Sequence, residues 1–154
     1  MPDPTPPVGY LLKHAQALLH ARMEESLRPL GLGVSQYVCL HLLHERPGIS
    51  ASELARSAFV TRQSMNALLQ GLRRRGLVER DDRAASGRAL SATLTLAGAE
   101  VLRDAEVLVD GVETRMLSGL APTTRRDLGS ALTQCIQSLD AGAISPPTGG
   151  VPTP

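Results

Sequence analysis

The chain has 154 residues, 42% hydrophobic and 20% charged, and its 16 basic and 15 acidic groups leave a net charge of +1. That balance bounds one globular domain with room for a core and excludes an intrinsically disordered chain or one that coats a polyanion by bulk charge. Two cysteines exclude a disulfide scaffold and fit a reducing, cytoplasmic setting, and no apolar run approaches the roughly 20 residues of a membrane span.

The opening MPDPTPP, residues 1–7, is rich in proline and has no apolar signal core, so a disordered N-terminus and no signal peptide are expected. Val8, Leu11, Leu12, Ala15, Leu18, Leu19, Met23, Leu27 and Leu30 then recur at helical spacing and predict a first helix that ends near Pro29. Ser35 is placed to cap a second helix running to about Glu45, stopped by Pro47-Gly48. Only Tyr10, Tyr37 and Phe59 are aromatic, so the core is aliphatic and rich in alanine, as suits packed helices.

Residues 49–76 predict two short helices joined by a tight turn. Ser50 followed by Glu53 is a capping box, and Ile49 and Leu54 occupy the positions of a hydrophobic staple. Leu54, Ala55 and Ala58 form the buried face of this third helix, and Phe59-Val60 makes the turn. Thr61 caps the fourth helix, with Val60 and Met65 set for a second staple. Met65, Leu68, Leu69 and Leu72 give it an apolar face. Its other face opens with Thr61, Arg62, Gln63, Ser64 and Asn66, short or forked hydrogen-bonding side chains in place of a generic charged surface. Gly76 terminates the helix in the left-handed conformation, and Leu77 folds back on Leu72. A helix-turn-helix needs this arrangement, a second helix buried behind and presenting donors and acceptors to base edges from its first turns. Arginine reads guanine O6 and N7, and asparagine or glutamine reads adenine N6 and N7.

Leu77–Arg80 and Leu90–Leu96 predict two strands, the second alternating Leu90, Ala92, Leu94 and Leu96 with Ser91, Thr93 and Thr95. The polar loop between them carries Arg83 and Arg88. As a wing beside the reading helix, it would bring those arginines to phosphates or the minor groove. Between residues 50 and 90 lie Arg56, Arg62, Arg73, Arg74, Arg75, Arg80, Arg83 and Arg88 against Glu53, Glu79, Asp81 and Asp82, a local excess of +4 in a chain of net +1. Such a patch is the footprint of a polyanion-binding face. The expected DNA contacts are Thr61, Arg62, Gln63, Ser64 and Asn66 in the reading helix, with Ser50, Arg73, Arg83 and Arg88 around it. The run Arg73-Arg74-Arg75 otherwise reads as a solvated helix end favoured by the helix dipole.

A long fifth helix follows on Leu102, Ala105, Leu108, Val109, Val112, Met116 and Leu120, and a sixth begins at Pro122 and carries Leu128, Ala131, Leu132, Cys135, Ile136 and Leu139. The first and last helices hold more apolar surface than a small winged helix covers, which predicts dimerisation through them. The expected class is mostly α, a winged helix-turn-helix of about six helices and a β-hairpin. Its DNA-binding core spans about 48–96 inside a domain of 8–140, its dimerisation helices 8–30 and 97–140, and its disordered tail 141–154.

The order of these elements resembles the MarR (multiple antibiotic resistance regulator) family of transcription factors. The likeness runs from about Val8 to Leu139 and is carried by Val34-Ser35-Gln36-Tyr37, Pro47-Gly48-Ile49-Ser50, Glu53-Leu54-Ala55, Val60-Thr61-Arg62-Gln63-Ser64, Leu72, Gly76-Leu77-Val78-Glu79-Arg80, Arg88, Leu94-Thr95 and Gly98. The resemblance implies a homodimer bound to double-stranded, pseudo-palindromic promoter DNA, usually as a repressor, and often released by a small phenolic or carboxylate ligand. The family wing usually carries Asp-x-Arg, where this chain has Ser86-Gly87-Arg88.

A pocket between the first, second and fifth helices would gather Tyr10, His14, Tyr37 and His41, four of the seven aromatic and imidazole groups present, around a planar acid. A metal-responsive regulator is the alternative suggested by His41 and His44 on one helical face with Cys39 and Glu45 nearby, though zinc takes three or four protein ligands. Cys39 and Cys135 suggest a thiol-responsive one. The altered wing leaves a third alternative, a dimeric interaction module without DNA binding. No phosphate loop, dinucleotide fingerprint, nucleophile elbow or CxxC is present, so neither an enzyme nor a cofactor is expected.

Overall fold

The computed structural model describes residues 6–80 and 92–141. The expected wing loop with Arg83 and Arg88, and most of the expected disordered termini, lie outside the described residues. The described elements, in order, are α1 (Val8–Leu27), a 3-10 turn (Arg28–Leu30), α2 (Val34–Glu45), α3 (Ala51–Ser57), α4 (Arg62–Arg74), β1 (Val78–Arg80), β2 (Ala92–Leu94), α5 (Leu96–Leu117) and α6 (Pro122–Ala141). They fall into two compact units, Met1–Met116 and Leu117–Pro154. The first contains the core, and the second carries α6. No described helix is long and apolar enough to cross a membrane.

In the first unit α4 packs on α2 and α3, and α2 also meets α1 and the hairpin. Leu27, Cys39, Leu40, Leu54, Met65, Leu72 and Leu102 are fully buried, with Leu43, Ala55, Leu69, Leu77, Val78, Ala92 and Ala105 around them. Burial of a Leu or Met side chain contributes about 1.5–3 kcal/mol, so this aliphatic cluster, without one buried aromatic ring, supplies the driving force for the unit. The staples close as expected, with Ile49 and Leu54 both buried and half-buried Val60 packed against the cluster that holds Met65. Ala58 departs from expectation. It is the residue that ends α3 and is half-buried, not part of the buried face.

The start of α2 also differs. Gly33, not Ser35, occupies its cap position, and Ser35 is exposed one residue inside the helix. The cap comes from elsewhere in the chain: Val34 N–H donates to Glu24 Oε1 of α1 at 2.7 Å, and Gly33 N–H donates to Gln36 Oε1 at 3.1 Å. A carboxylate on the preceding helix does the work that a serine would do locally, at the helix end that favours negative charge.

The strands pair antiparallel with Val78 opposite Leu94, Glu79 opposite Thr93 and Arg80 opposite Ala92. The expected second strand is shorter than its alternation suggests, because Leu96 is 81% exposed and begins α5. Thr95 ends the strand. Its hydroxyl accepts from Gly98 N–H at 3.0 Å, capping α5, and donates to Gly76 carbonyl oxygen at 2.6 Å, while its own N–H donates to Leu77 carbonyl oxygen. Gly98 lies against that junction so closely that a Cβ there would stand 1.9 Å from Leu77 carbonyl oxygen. The obstacle is main chain, which cannot rotate aside. Gly98→Ala is therefore expected to destabilise the fold by about 1–3 kcal/mol, the usual range for overpacking. Urea unfolding of the two proteins measures it, and equal midpoints would contradict the junction described.

Candidate nucleic-acid interface

The reading helix is built by two capped starts and two identically closed ends. At the start of α3, Glu53 N–H donates to Ser50 Oγ at 3.2 Å, and Ser50 N–H and Oγ donate to Glu53 Oε2 at 3.2 and 2.9 Å. Those bonds, with Arg56 and Arg46 nearby, hold the Glu53 carboxyl below its ordinary range. At the start of α4, Ser64 N–H donates to Thr61 Oγ1 at 3.1 Å, and Thr61 Oγ1 donates to Ser64 Oγ at 2.9 Å. Helix α4 then closes with Leu77 N–H on Leu72 carbonyl oxygen and Gly76 N–H on Arg73 carbonyl oxygen, Gly76 standing at φ 70°. Helix α3 closes in the same way, Val60 N–H on Ala55 and Phe59 N–H on Arg56, but with Phe59 at φ 56° in the glycine position. Both are Schellman closures. In the left-handed conformation a residue with a Cβ costs about 1–2 kcal/mol.

Between these ends α4 has two faces. Met65, Leu69 and Leu72 are buried, while Thr61, Arg62, Gln63, Ser64 and Asn66 are all exposed on its first turns. The structure thus leaves the five expected DNA-contacting side chains of this helix start exposed, with half-buried Ser50 engaged in the cap of the preceding helix. Arg73 is half-buried, its Nε shielded from solvent with no acceptor among the described residues. Arg75, expected to be simply solvated, is a clamp: it donates from Nη1 to Gly31 carbonyl oxygen at 2.7 Å and from Nη2 to Leu30 carbonyl oxygen at 3.0 Å. The cation ties the end of this helix to two carbonyls at the end of the 3-10 turn. The run of three arginines gave no sign of this division, because the partner carbonyls are more than forty residues away.

The expected effector residues form two pairs. Tyr10 and His14 lie on α1 with ring centroids 6.0 Å apart, and Tyr37 and His41 stack on α2, also at 6.0 Å. No ring contact joins the pairs among the described residues. His41 Nδ1 lies 3.3 Å from Glu106 Oε1 of α5. Burial, followed by the charges of Glu106, Asp110 and Glu113, pushes the Tyr37 phenol up. A cavity of about 590 Å³ lies instead between α1 and α5, lined by Ala15, Leu18, Leu19, Val112 and Met116 with Arg22, Glu25, Ser26 and Arg115. Pairwise periodicity along single helices does not reveal such a space.

No three His, Cys, Asp or Glu side chains gather to hold a metal among the described residues. Cys39 is fully buried, and burial pushes its thiol up to about 12, so the reactive thiolate is scarce near neutrality. Its Sγ instead donates to Met65 Sδ at 3.7 Å, joining α2 to the reading helix. Cys135, expected among apolar neighbours, is exposed on α6.

Known proteins of this architecture agree with the geometry. The MarR family model matches residues 30–89. The HTH-type transcriptional repressor Rv2887 of Mycobacterium tuberculosis is 41% identical over 121 residues, covering 79% of this chain and 87% of that protein. The crystal structure of Rv2887 with salicylic acid is 39% identical and has a TM-score of 0.72, over 86% of this chain and 98% of that one. The crystal structure of Rv2887 with DNA is 36% identical, also at a TM-score of 0.72, over 85% and 98%. The chain belongs to the MarR family.

The charged cap gives a pH signature. The Glu53 carboxyl is lowered in the folded chain, so its contribution to stability is present above the ordinary carboxylate range and is lost as pH falls through it. Wild type is expected to exceed Glu53→Gln in stability at pH 7, with the gap closing as pH falls below the ordinary carboxylate range and through the lowered folded value. Thermal unfolding across that range measures it, and a gap that stays constant with pH would contradict the charged cap.

Proposed function

We propose that this chain is a homodimeric, sequence-specific DNA-binding repressor that a small aromatic acid releases from its operator, acting in the cytoplasm and without catalysis. The observation that carries the reading is the two-faced α4: three buried apolar residues fix the helix, and Arg62, Gln63, Ser64 and Asn66 are exposed on its first turns, those that would enter a major groove. Rv2887, a repressor by name, has been crystallised with DNA and with salicylic acid. Exposed apolar side chains on α1 (Val8, Leu11, Leu12, Leu18) and on α6 (Leu128, Leu132, Ile136, Leu139) support residues 8–30 and 97–140 as the dimerisation layer around a DNA-binding core of about 48–96. A dimer would set two reading helices about 34–36 Å apart, one turn of duplex.

Within this proposal Arg62, Gln63, Ser64 and Asn66 read bases, Thr61 and Ser50 position the helix, and Arg73, Arg83 and Arg88 meet the backbone or minor groove. Arg62→Ala or Asn66→Ala is expected to cost about 1–3 kcal/mol on a duplex selected by the wild-type protein and to relax preference at one half-site position. Arg88→Ala should weaken selected and random duplexes alike and flatten the salt dependence. Titration of both duplexes at two salt concentrations distinguishes them, and equal losses on selected and random DNA for all three variants would defeat the base-reading assignment. Failure of the wild type to bind any duplex would leave a dimeric interaction module.

The proposed effector contacts are Tyr10, His14, Tyr37 and His41, in a pocket between α1, α2 and α5. The α1–α5 cavity is the competing place, because Arg22 and Arg115 suit a carboxylate whereas Glu106, Asp110 and Glu113 crowd Tyr37. Calorimetry with salicylate is expected to show weaker binding to Tyr37→Ala and His41→Ala than to wild type. Binding lost in Arg22→Ala but intact in those two variants would move the effector to the cavity.

A further inference from the structure

Phe59 occupies the position in the turn before α4 that glycine fills in the matching turn after it. Its φ is 56°, set by the same pair of backbone hydrogen bonds that holds Gly76 at 70°, and its side chain is 96% exposed. Neither feature helps the fold. The ring is the most exposed large apolar side chain on the described surface, and it sits in a backbone conformation that disfavours any Cβ. Strain of this kind persists where the surroundings impose it and clusters at sites that act on something else.

The surroundings say what that something is. Arg56 and Arg62 stand three residues to either side, both exposed, and Arg46 donates to Ser57 Oγ, which fixes a third guanidinium in the same turn. The ring lies two residues before Thr61, the cap of the helix whose exposed first turn is the base-reading surface. When that first turn enters a major groove, the residues just before it lie at the groove wall, where the sugar-phosphate strand passes. A strand of nucleic acid offers both matching chemistries at that place, apolar deoxyribose faces and regularly spaced phosphates. A purely apolar partner would have to desolvate three arginines.

We infer that Phe59 is a DNA-docking residue, its ring packed on a deoxyribose of the backbone at the groove wall while Arg56 and Arg62 meet the phosphates on either side. The inference rests on the DNA-binding reading and adds to it a neutral, sequence-independent contact. Being uncharged, the ring releases no counterions, so it adds affinity without adding to the salt slope.

The test uses the full chain, with wild type, Phe59→Gly and Phe59→Tyr titrated against a duplex selected by the wild type and a random-sequence duplex, each at two salt concentrations. Phe59→Gly removes the ring and relieves the φ at once. It is expected to bind both duplexes about tenfold more weakly with an unchanged salt slope, while its thermal midpoint stays level or rises. Phe59→Tyr keeps the ring and is expected to restore affinity. Wild-type affinity in Phe59→Gly would overturn the inference while leaving the DNA reading intact, as would a loss confined to the selected duplex or a fall in thermal midpoint matching the loss of binding. If the wild type binds neither duplex, both readings fall. Binding to phosphatidylserine vesicles lost in Phe59→Gly, with duplex binding unchanged, would assign the ring to a membrane surface and overturn it too.

Discussion

Burial of one face of α4 is the constraint on which the rest depends. Met65, Leu69 and Leu72 sit in a cluster of aliphatic side chains from α2, α3 and α5, and that placement leaves the rotation of the helix no freedom. Once the rotation is set, Arg62, Gln63, Ser64 and Asn66 face outward as a consequence. Side chains that read base edges need positions reproducible to a fraction of an ångström, and a packed aliphatic core supplies that rigidity better than polar contacts on the surface. The Cys39–Met65 sulfur contact belongs to the same anchoring.

Around that anchor the helix ends carry the polar bookkeeping. Thr61 satisfies the start of α4, Arg75 satisfies carbonyls at the end of the 3-10 turn, and Thr95 joins the end of α4 to the start of α5 through Gly76 and Gly98. Thr95 and Gly98 form a hinge of main-chain contacts with no slack: a threonine hydroxyl bonded on both sides and a glycine against a carbonyl. The β-hairpin and α5 leave the reading unit from this junction.

Local signals were the readable ones. The Ser50–Glu53 box, the Thr61 cap and the Gly76 closure each involve residues at most five apart, and all three appear in the structure at the expected positions. The apolar face of α4 was equally plain because a period of 3.6 is local information. Two of the expectations that failed depended on distant groups, and one on a competing local pattern. Ser35 looked like a cap because nothing nearby announces that Glu24 reaches Val34 from another helix. Arg75 looked solvated because its carbonyl partners lie across the fold. Leu96 continued a two-residue alternation by coincidence, and the Thr95-x-x-Gly98 spacing that marks a helix start was hidden beneath it. The pairs Tyr10–His14 and Tyr37–His41 are each four residues apart on one helix, so their adjacency is local information as well.

The central claim is that the first turn of α4 reads base edges in the major groove and does so twice, one turn of duplex apart. Guanine-N7 methylation interference on a duplex selected by the wild-type protein tests it most directly, since N7 lies in the major groove. The account predicts two interfering clusters separated by about 10 base pairs, on one face of the duplex. Binding unaffected by N7 methylation throughout a guanine-containing site, with protection confined to minor-groove positions, would contradict it.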